Sequence, residues 1–182
     1  MTSFRIWNES LHELKKPKVL AVCGLMCALA VVLSYTSTIR IGPYIKVGFS
    51  GIPNQVVDYL FGPAVGAVFG GTLDVLKYLI QPDGAFFPGF TVSAVLGGVI
   101  YGYAFYRKKV TVLRVFLAQL LVKLFVNCCL NTVWLNMLYG KAIAVLLPSR
   151  LVSNAIMLPV DTVICYLVLK AVERYTHGGK TF

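Results

Sequence analysis

The chain has 182 residues, 58% of them hydrophobic and 13% charged, with a mean hydropathy of +0.77, against about 25% charged in an average soluble domain. That balance excludes an ordinary water-soluble globule. Since a helical crossing takes about 20 apolar residues, the length accommodates about six crossings and no sizeable soluble domain. The net charge of +10, which in a soluble protein would raise the question of nucleic acid, here concerns which side of a bilayer the bases occupy.

In chain order, residues 1–18 hold Glu9 and Glu13 with no small-residue cleavage site. They read as a cytoplasmic amino-terminal tail before a retained first span, not as a signal peptide. Apolar runs bounded by Pro, Gly or charge follow at 19–35, 49–61, 64–80, 89–106, 112–138 and 151–172. The second is short and carries Pro53 and Asp58, which leaves a re-entrant segment as the competing reading. Charge parity favours a crossing. Arg5, Lys15, Lys16 and Lys18, then Arg107, Lys108, Lys109 and Arg114, then Lys170, Arg174 and Lys180 all fall on one side only if six runs cross, and the positive-inside bias makes that side cytoplasmic. The expected fold is an all-α membrane protein. It has six transmembrane helices, cytoplasmic termini (tail 173–182 at the end), outer loops at 36–48, 81–88 and 139–150, and one substrate-binding domain over 1–182.

An ionisable side chain inside a span costs about 2.5–3.5 kcal/mol on insertion scales, so each needs a partner or a purpose. On the third run Asp74 and Lys77 stand one turn apart, either as a structural ion pair or as site groups. On the fifth, Gln119, Lys123, Asn127 and Asn131 recur every fourth residue and Trp134 follows; on the sixth, Arg150, Asn154, Met157 and Asp161 make a similar stripe. Three polar stripes are expected to converge on one cavity. Lys123 and Asp161, nearer mid-bilayer, are expected to pair across helices. Asp58 finds no partner in the sequence.

The outer loops carry Arg40, Lys46, Lys141 and Arg150, against the positive-inside trend. Taken singly they read as solvated or snorkelling. As a group they suit an anion, and Arg can clamp a carboxylate with two hydrogen bonds. Tyr44, Phe86, Phe87, Phe90 and Trp134 lie at the same level, as an interfacial belt or as stacking surfaces for a flat ligand. Gly84, Pro88 and Gly89 would let a loop fold over Asp74 and Lys77 as a lid above a polar floor. An aromatic heterocycle with a carboxylated tail fits such a place, Asp accepting from ring N–H groups and the bases holding the acids.

Other chemistry finds little support. "HGGKT" resembles the end of a phosphate-binding loop, but Arg174 stands where the motif needs Gly. His12 and His177 lie outside the runs, no Ser sits beside a candidate base, and no metal-ligand or cofactor pattern occurs. The five cysteines read as small apolar packing residues. On the first run Ala21, Gly24 and Ala28 form a small-residue face, suited to packing within the protein or to docking a separate membrane subunit.

The chain resembles the substrate-binding membrane subunits, or S components, of energy-coupling factor (ECF) vitamin transporters, within them the folate-specific branch. The carrying motifs are "GLMCALAVVLS", "IGPYIKVGFSGIPN", "FGPAVGAVFGGTLDVLKYLIQPDGAFFPGFTVSA", "NTVWL" and "PSRLVSNAIMLPVDT", covering most of residues 19–165. The resemblance implies a non-catalytic six-helix subunit of the cell membrane that captures folate from outside and topples in the bilayer. It implies a transmembrane coupling protein and two cytoplasmic ATPases as partners, with no nucleic acid. In the family a pair of alanines four apart docks the coupling protein; here Gly24 takes the first place and Ala28 the second. The expected ligand contacts are Arg40, Lys46 and Arg150 for the glutamate carboxylates and Asp74, Lys77, Asn131 and Asn154 as polar contacts, with Tyr44, Phe87, Pro88 and Trp134 as walls and lid. The competing readings are an S component for thiamine, riboflavin or a queuosine precursor, and a small membrane enzyme acting on an anionic lipid headgroup.

Overall fold

The computed structural model describes residues 3–36, 38–41, 45–80, 82, 86–140 and 143–178. Proline and glycine punctuate it. Pro17, Pro63 and Pro88 each open a helix, where the missing N–H costs nothing and the fixed φ suits the first turn. The helices are α1 (Ser3–Glu13), α2 (Pro17–Thr36), α3 (Ile52–Phe61), α4 (Pro63–Ile80), α5 (Pro88–Phe105), α6 (Val112–Leu121), α7 (Asn131–Tyr139) and α8 (Ile143–Gly178). Gly62, at φ +88°, ends α3 and donates its N–H to the Asp58 carbonyl oxygen. Gly140, at φ +61°, ends α7. Both angles are ones that an L side chain resists.

Five segments are long and apolar enough to cross a bilayer: Pro17–Thr36, Pro63–Ile80, Pro88–Phe105, Val112–Leu138 and Arg150–Thr176. They bear outward leucines and valines such as Leu25, Leu79, Leu113 and Leu167, as expected of surfaces that meet lipid rather than water. The chain is therefore a multi-pass, helical membrane protein. The run at 49–61 is not among the five. Its helix, α3, has ten residues, seven of them buried, Gln55 and Asp58 included. One apolar cluster joins α3 to α5, α6 and α8 around Val56, Phe105, Val115 and Leu169; another joins it to α2 and α4 around Val57, Val65 and Phe69. α3 is thus the innermost helix, solvated by protein on all sides.

Three stretches read as tail or loop are ordered. Residues within 1–18 form α1, which is docked on the bundle: Ser10 Oγ donates to the Phe61 carbonyl oxygen (2.7 Å) and accepts from the N–H groups of Ala64 and Val65 (3.0 and 3.1 Å). It therefore satisfies donors that the start of α4 would otherwise leave bare. Arg107 Nη1 bonds Glu9 (2.7 Å) and Trp7 stacks on Tyr103, so α1 also holds the α5–α6 connection. Within the outer loop at 36–48, β1 (Thr38–Ile41) and β2 (Ile45–Gly48) pair antiparallel with Arg40 opposite Lys46, a hairpin not foreseen in an all-α fold. The tail expected from 173 is instead the end of α8, which runs to Gly178.

α4 and α5 approach at glycine. A Cβ on Gly66 or Gly98 would strike the other helix's backbone or Asp58, and one on Gly70 would strike the Ala94 carbonyl. Small residues let helix backbones approach closely where no water drives association. Between α6 and α7, Val122–Leu130 winds as a π-helix, in which the Asn131 N–H reaches back five residues to the Val126 carbonyl oxygen.

Candidate functional site

The close α4–α5 pair, α3 and the π-helix line an open cavity of about 290 Å³. Asp74 and Lys77 line it from α4, Asn54 from α3, Phe90 and Ser93 from α5, and Asn127 and Asn131 from the π-helix and the start of α7. A smaller cavity of about 130 Å³ lies against it, sharing Gly51 and Asn127 in its wall and lined by Gln55, Tyr101, Gln119, Lys123 and Asp161. The predicted convergence of polar stripes therefore holds for α4, the fifth segment and part of α8.

The π-helix explains how the fifth segment can do this. On a straight α-helix, residues four apart drift by about 40° per step, so a stripe from Gln119 to Asn131 would turn through about 120°. A π turn is wider and cancels much of that drift. Gln119, Lys123, Asn127 and Asn131 consequently all reach the two cavities.

Lys123 Nζ donates to Asp161 Oδ2 at 2.6 Å, the expected pair between helices. In the smaller cavity Tyr101 OH donates to Gln119 Oε1 (2.7 Å). In the larger one Asp74 does not form an ion pair with Lys77; its Oδ2 accepts from Thr91 Oγ1 on α5 (2.8 Å). Among the described residues Lys77 has no hydrogen-bond or ion-pair partner, so a half-buried ammonium faces the cavity. Asn131 Nδ2 donates to Asn127 Oδ1 (3.3 Å) and Asn54 Nδ2 to Asp58 Oδ2 (3.3 Å). The carbonyl oxygens Asn131 Oδ1 and Asn54 Oδ1 are buried without a donor.

An aromatic cluster stands beside the cavity, and its Phe90 lines the wall. Phe87 lies 5.7 Å from Trp134 and 6.2 Å from Phe90, centroid to centroid, and Trp134 Nε1 donates to Ser93 Oγ (3.1 Å). Gly89 sits between Phe87 and Trp134 with no room for a Cβ. Pro88 is exposed at the first position of α5.

The remaining expected contacts fall elsewhere. Arg150 Nη1 donates to the Asn127 carbonyl oxygen (3.0 Å), and Asn154 Nδ2 to Cys128 Sγ (3.5 Å) and, within α8, to the Arg150 carbonyl oxygen (2.9 Å). Both brace the π-helix from α8 and neither is on the wall of the two cavities. Arg40 and Lys46 are placed as backbone only, cross-strand partners in the hairpin; Tyr44 and the proposed Gly84 hinge lie outside the described residues. Ala21, Gly24 and Ala28 are exposed on α2, and a Cβ on Gly24 would meet nothing. All five cysteines are free thiols.

Sequence reasoning missed Asn54, Thr91 and Ser93. Asn54 and Asp58 do stand four apart, a spacing that puts both on one helix face. Thr91 and Ser93 carried no signal, since a hydroxyl in an apolar run gains meaning only from the helix opposite.

This geometry has relatives. The family model described as "ECF transporter, substrate-specific component" matches residues 18–169. A protein named "Folate transporter FolT" from Clostridium novyi (strain NT) is 44% identical over 161 residues, covering 88% of this chain and 93% of its own. Another of that name, from Leuconostoc mesenteroides subsp. mesenteroides, is 33% identical over 154 residues, covering 80% and 81%. A solved structure described as FolT bound with folic acid superposes with a TM-score of 0.75 at 34% identity, over 83% of this chain and 93% of that one. The chain belongs to the substrate-specific components of ECF transporters.

Proposed function

We propose that this subunit captures folate from outside the cell, catalyses no reaction, and hands its cargo to a transmembrane coupling protein driven by two cytoplasmic ATPases. The observation that carries the reading is the larger cavity itself. It is lined by the Asp74 carboxylate, the side-chain amides of Asn54, Asn127 and Asn131, the Lys77 ammonium and the ring of Phe90, beside which Phe87 and then Trp134 pack. A pterin offers N–H donors on a flat ring, and its glutamate tail offers carboxylates; the cavity complements both. Relatives named for folate, and one solved with folic acid, support the same ligand.

In this reading Arg40 and Lys46, side by side on the hairpin, hold the glutamate tail, and Arg150 and Asn154 stiffen the helix that carries Asn127 and Asn131. Six crossings with cytoplasmic termini follow, α3 serving as the second within the protein. In support, α1, the α5–α6 connection and the end of α8 gather at one end of the bundle through Glu9–Arg107 and Val110–Glu173 contacts, and they bear the basic segments. The exposed Ala21–Gly24–Ala28 face is the place for the coupling protein.

Calorimetry of the purified protein in detergent tests the ligand. Folate is expected to give saturable heat at one site, with none from thiamine, riboflavin or a deazaguanine. Heat from one of those and not from folate reassigns the vitamin, and product formation from an anionic phospholipid overturns the non-catalytic reading.

A further inference from the structure

α1 has two unlike faces. On the inner one Ser10 is fully buried against the start of α4 and Trp7 stacks on Tyr103. On the outer one Asn8, Leu11, His12 and Lys15 recur at helical spacing and are exposed, Leu11 at 41%. With the half-buried Leu14 they line an open groove of about 450 Å³. The groove ends where the membrane begins: Pro17 opens α2, the first crossing segment, and Leu20 on α2 is 56% exposed on a surface that meets lipid. Charge at this corner is uneven. Both acids of α1 are engaged, Glu9 by Arg5 and Arg107 (3.4 and 2.7 Å) and Glu13 by Lys16 (2.7 Å). Lys15 and Lys18 are exposed, and among the described residues no acid is bonded to either ammonium.

We propose that this groove seats an anionic phospholipid. Lys15 holds the phosphate beside the His12 imidazole, Lys18 adds charge from the first turn of α2, and one acyl chain lies over Leu11 and Leu14 toward Leu20. Uncompensated ammonium groups at a bilayer surface attract acidic headgroups, each base being worth about fivefold in affinity. A free phosphate would use the lysines and leave Leu11 in water, while a neutral apolar partner would cover Leu11 and leave the lysines unpaired. A molecule acidic at one end and apolar at the other satisfies both, and the adjoining bilayer supplies it. The helix dipoles do not decide the matter, because the negative end of α1 and the positive end of α2 meet here and offset each other. α1 is bonded to the start of α4 through Ser10 and to the α5–α6 connection through Glu9 and Arg107. A lipid that holds α1 in place therefore steadies those elements too. The site is independent of the folate ligand.

The test is native mass spectrometry and thermal unfolding of the purified full chain in detergent, titrated with dioleoyl phosphatidylglycerol, dioleoyl phosphatidylcholine or glycerol 3-phosphate. Phosphatidylglycerol is expected to be retained as one adduct and to raise the unfolding temperature by several degrees. The zwitterionic lipid and the chain-free phosphate are expected to do neither. Lys15→Gln combined with Lys18→Gln should weaken phosphatidylglycerol by about thirtyfold and Leu11→Gln by about fivefold, both unfolding at the wild-type temperature when lipid is absent. Lys109→Gln combined with Arg174→Gln removes the same charge from exposed positions on the α5–α6 connection and the end of α8, and should leave retention unchanged. Equal retention of phosphatidylcholine or of glycerol 3-phosphate overturns the proposal, as does an equal loss in the Lys109 and Arg174 variant. A dimer that Leu11→Gln abolishes, with no lipid adduct, also overturns it and gives the face to a second copy of the chain. Should the lysine variant unfold early without lipid, Leu11→Gln and the headgroup comparison decide.

Discussion

Lys123 and Asp161 show what one pair of residues can decide in a bundle solvated by lipid. The two meet at 2.6 Å, the lysine side chain 9% exposed and the aspartate 28%. Removing one partner leaves the other charge uncompensated, at a cost of about 3–5 kcal/mol, whereas replacing both by apolar groups of similar size is close to neutral. Lys123→Met or Asp161→Asn alone is therefore expected to lower the unfolding temperature in detergent by several degrees, and Lys123→Met combined with Asp161→Leu to recover most of the loss. Two single variants as stable as the wild type would rule out the pair as a stabilising link. Asp58 is the contrasting case: fully buried, with no cation bonded to it among the described residues, held by one amide and packed against Gly66.

At the scale of an element, the π-helix is where sequence spacing becomes a site. Repeats of four residues drift around a straight α-helix, and the wider π turn is what keeps Lys123, Asn127 and Asn131 on the side of the two cavities. Inserting one alanine after the exposed Cys129 adds a residue that the already widened turns cannot absorb, rotating Asn131 and Trp134 by about a quarter turn relative to Lys123. Folate affinity is expected to fall by at least tenfold, measured by calorimetry, while the protein still inserts and keeps its helix content by circular dichroism. Unchanged affinity would show that the π turn does not aim the site. α3 makes the complementary point. Ten residues with an Asp, an Asn and a Gln score poorly as a span because hydropathy assumes a lipid surround, yet this helix touches protein on all sides.

For the whole molecule the governing asymmetry is between its ends. One end gathers α1, Arg107–Lys109 and the close of α8; the other holds the ends of α2 and α4, joined by the Tyr35 OH bond to the Ile80 carbonyl oxygen (3.3 Å), with the hairpin that follows α2 and the aromatic cluster. Bases concentrate at the first end, which the proposed topology makes the cytoplasmic one, in line with the positive-inside bias. A green fluorescent protein fused after Phe182 should fluoresce in cells, and alkaline phosphatase at the same position should stay inactive. The reverse pattern would invert the topology and place the cavity on the wrong side for capture.

The sequence by itself determined that this is a multi-pass helical membrane protein, because apolar runs punctuated by proline and glycine have no other low-energy state in or out of lipid. It also determined the family, the Lys123–Asp161 link, and the candidates Asp74, Lys77 and Asn131 that line the cavity, since a polar group in an apolar run is costly unless paired or used. Only the tertiary structure decided that α3 is interior, that Asp74 is held by Thr91 and not by Lys77, that Arg150 and Asn154 brace a helix, and that Asn54 joins the wall. Each of those depends on which side chain stands opposite across a helix contact, and α4 and α5 meet where they do because glycines on both sides permit it. Hydropathy is a sum along the chain, whereas the choice of neighbour is made in three dimensions by shape.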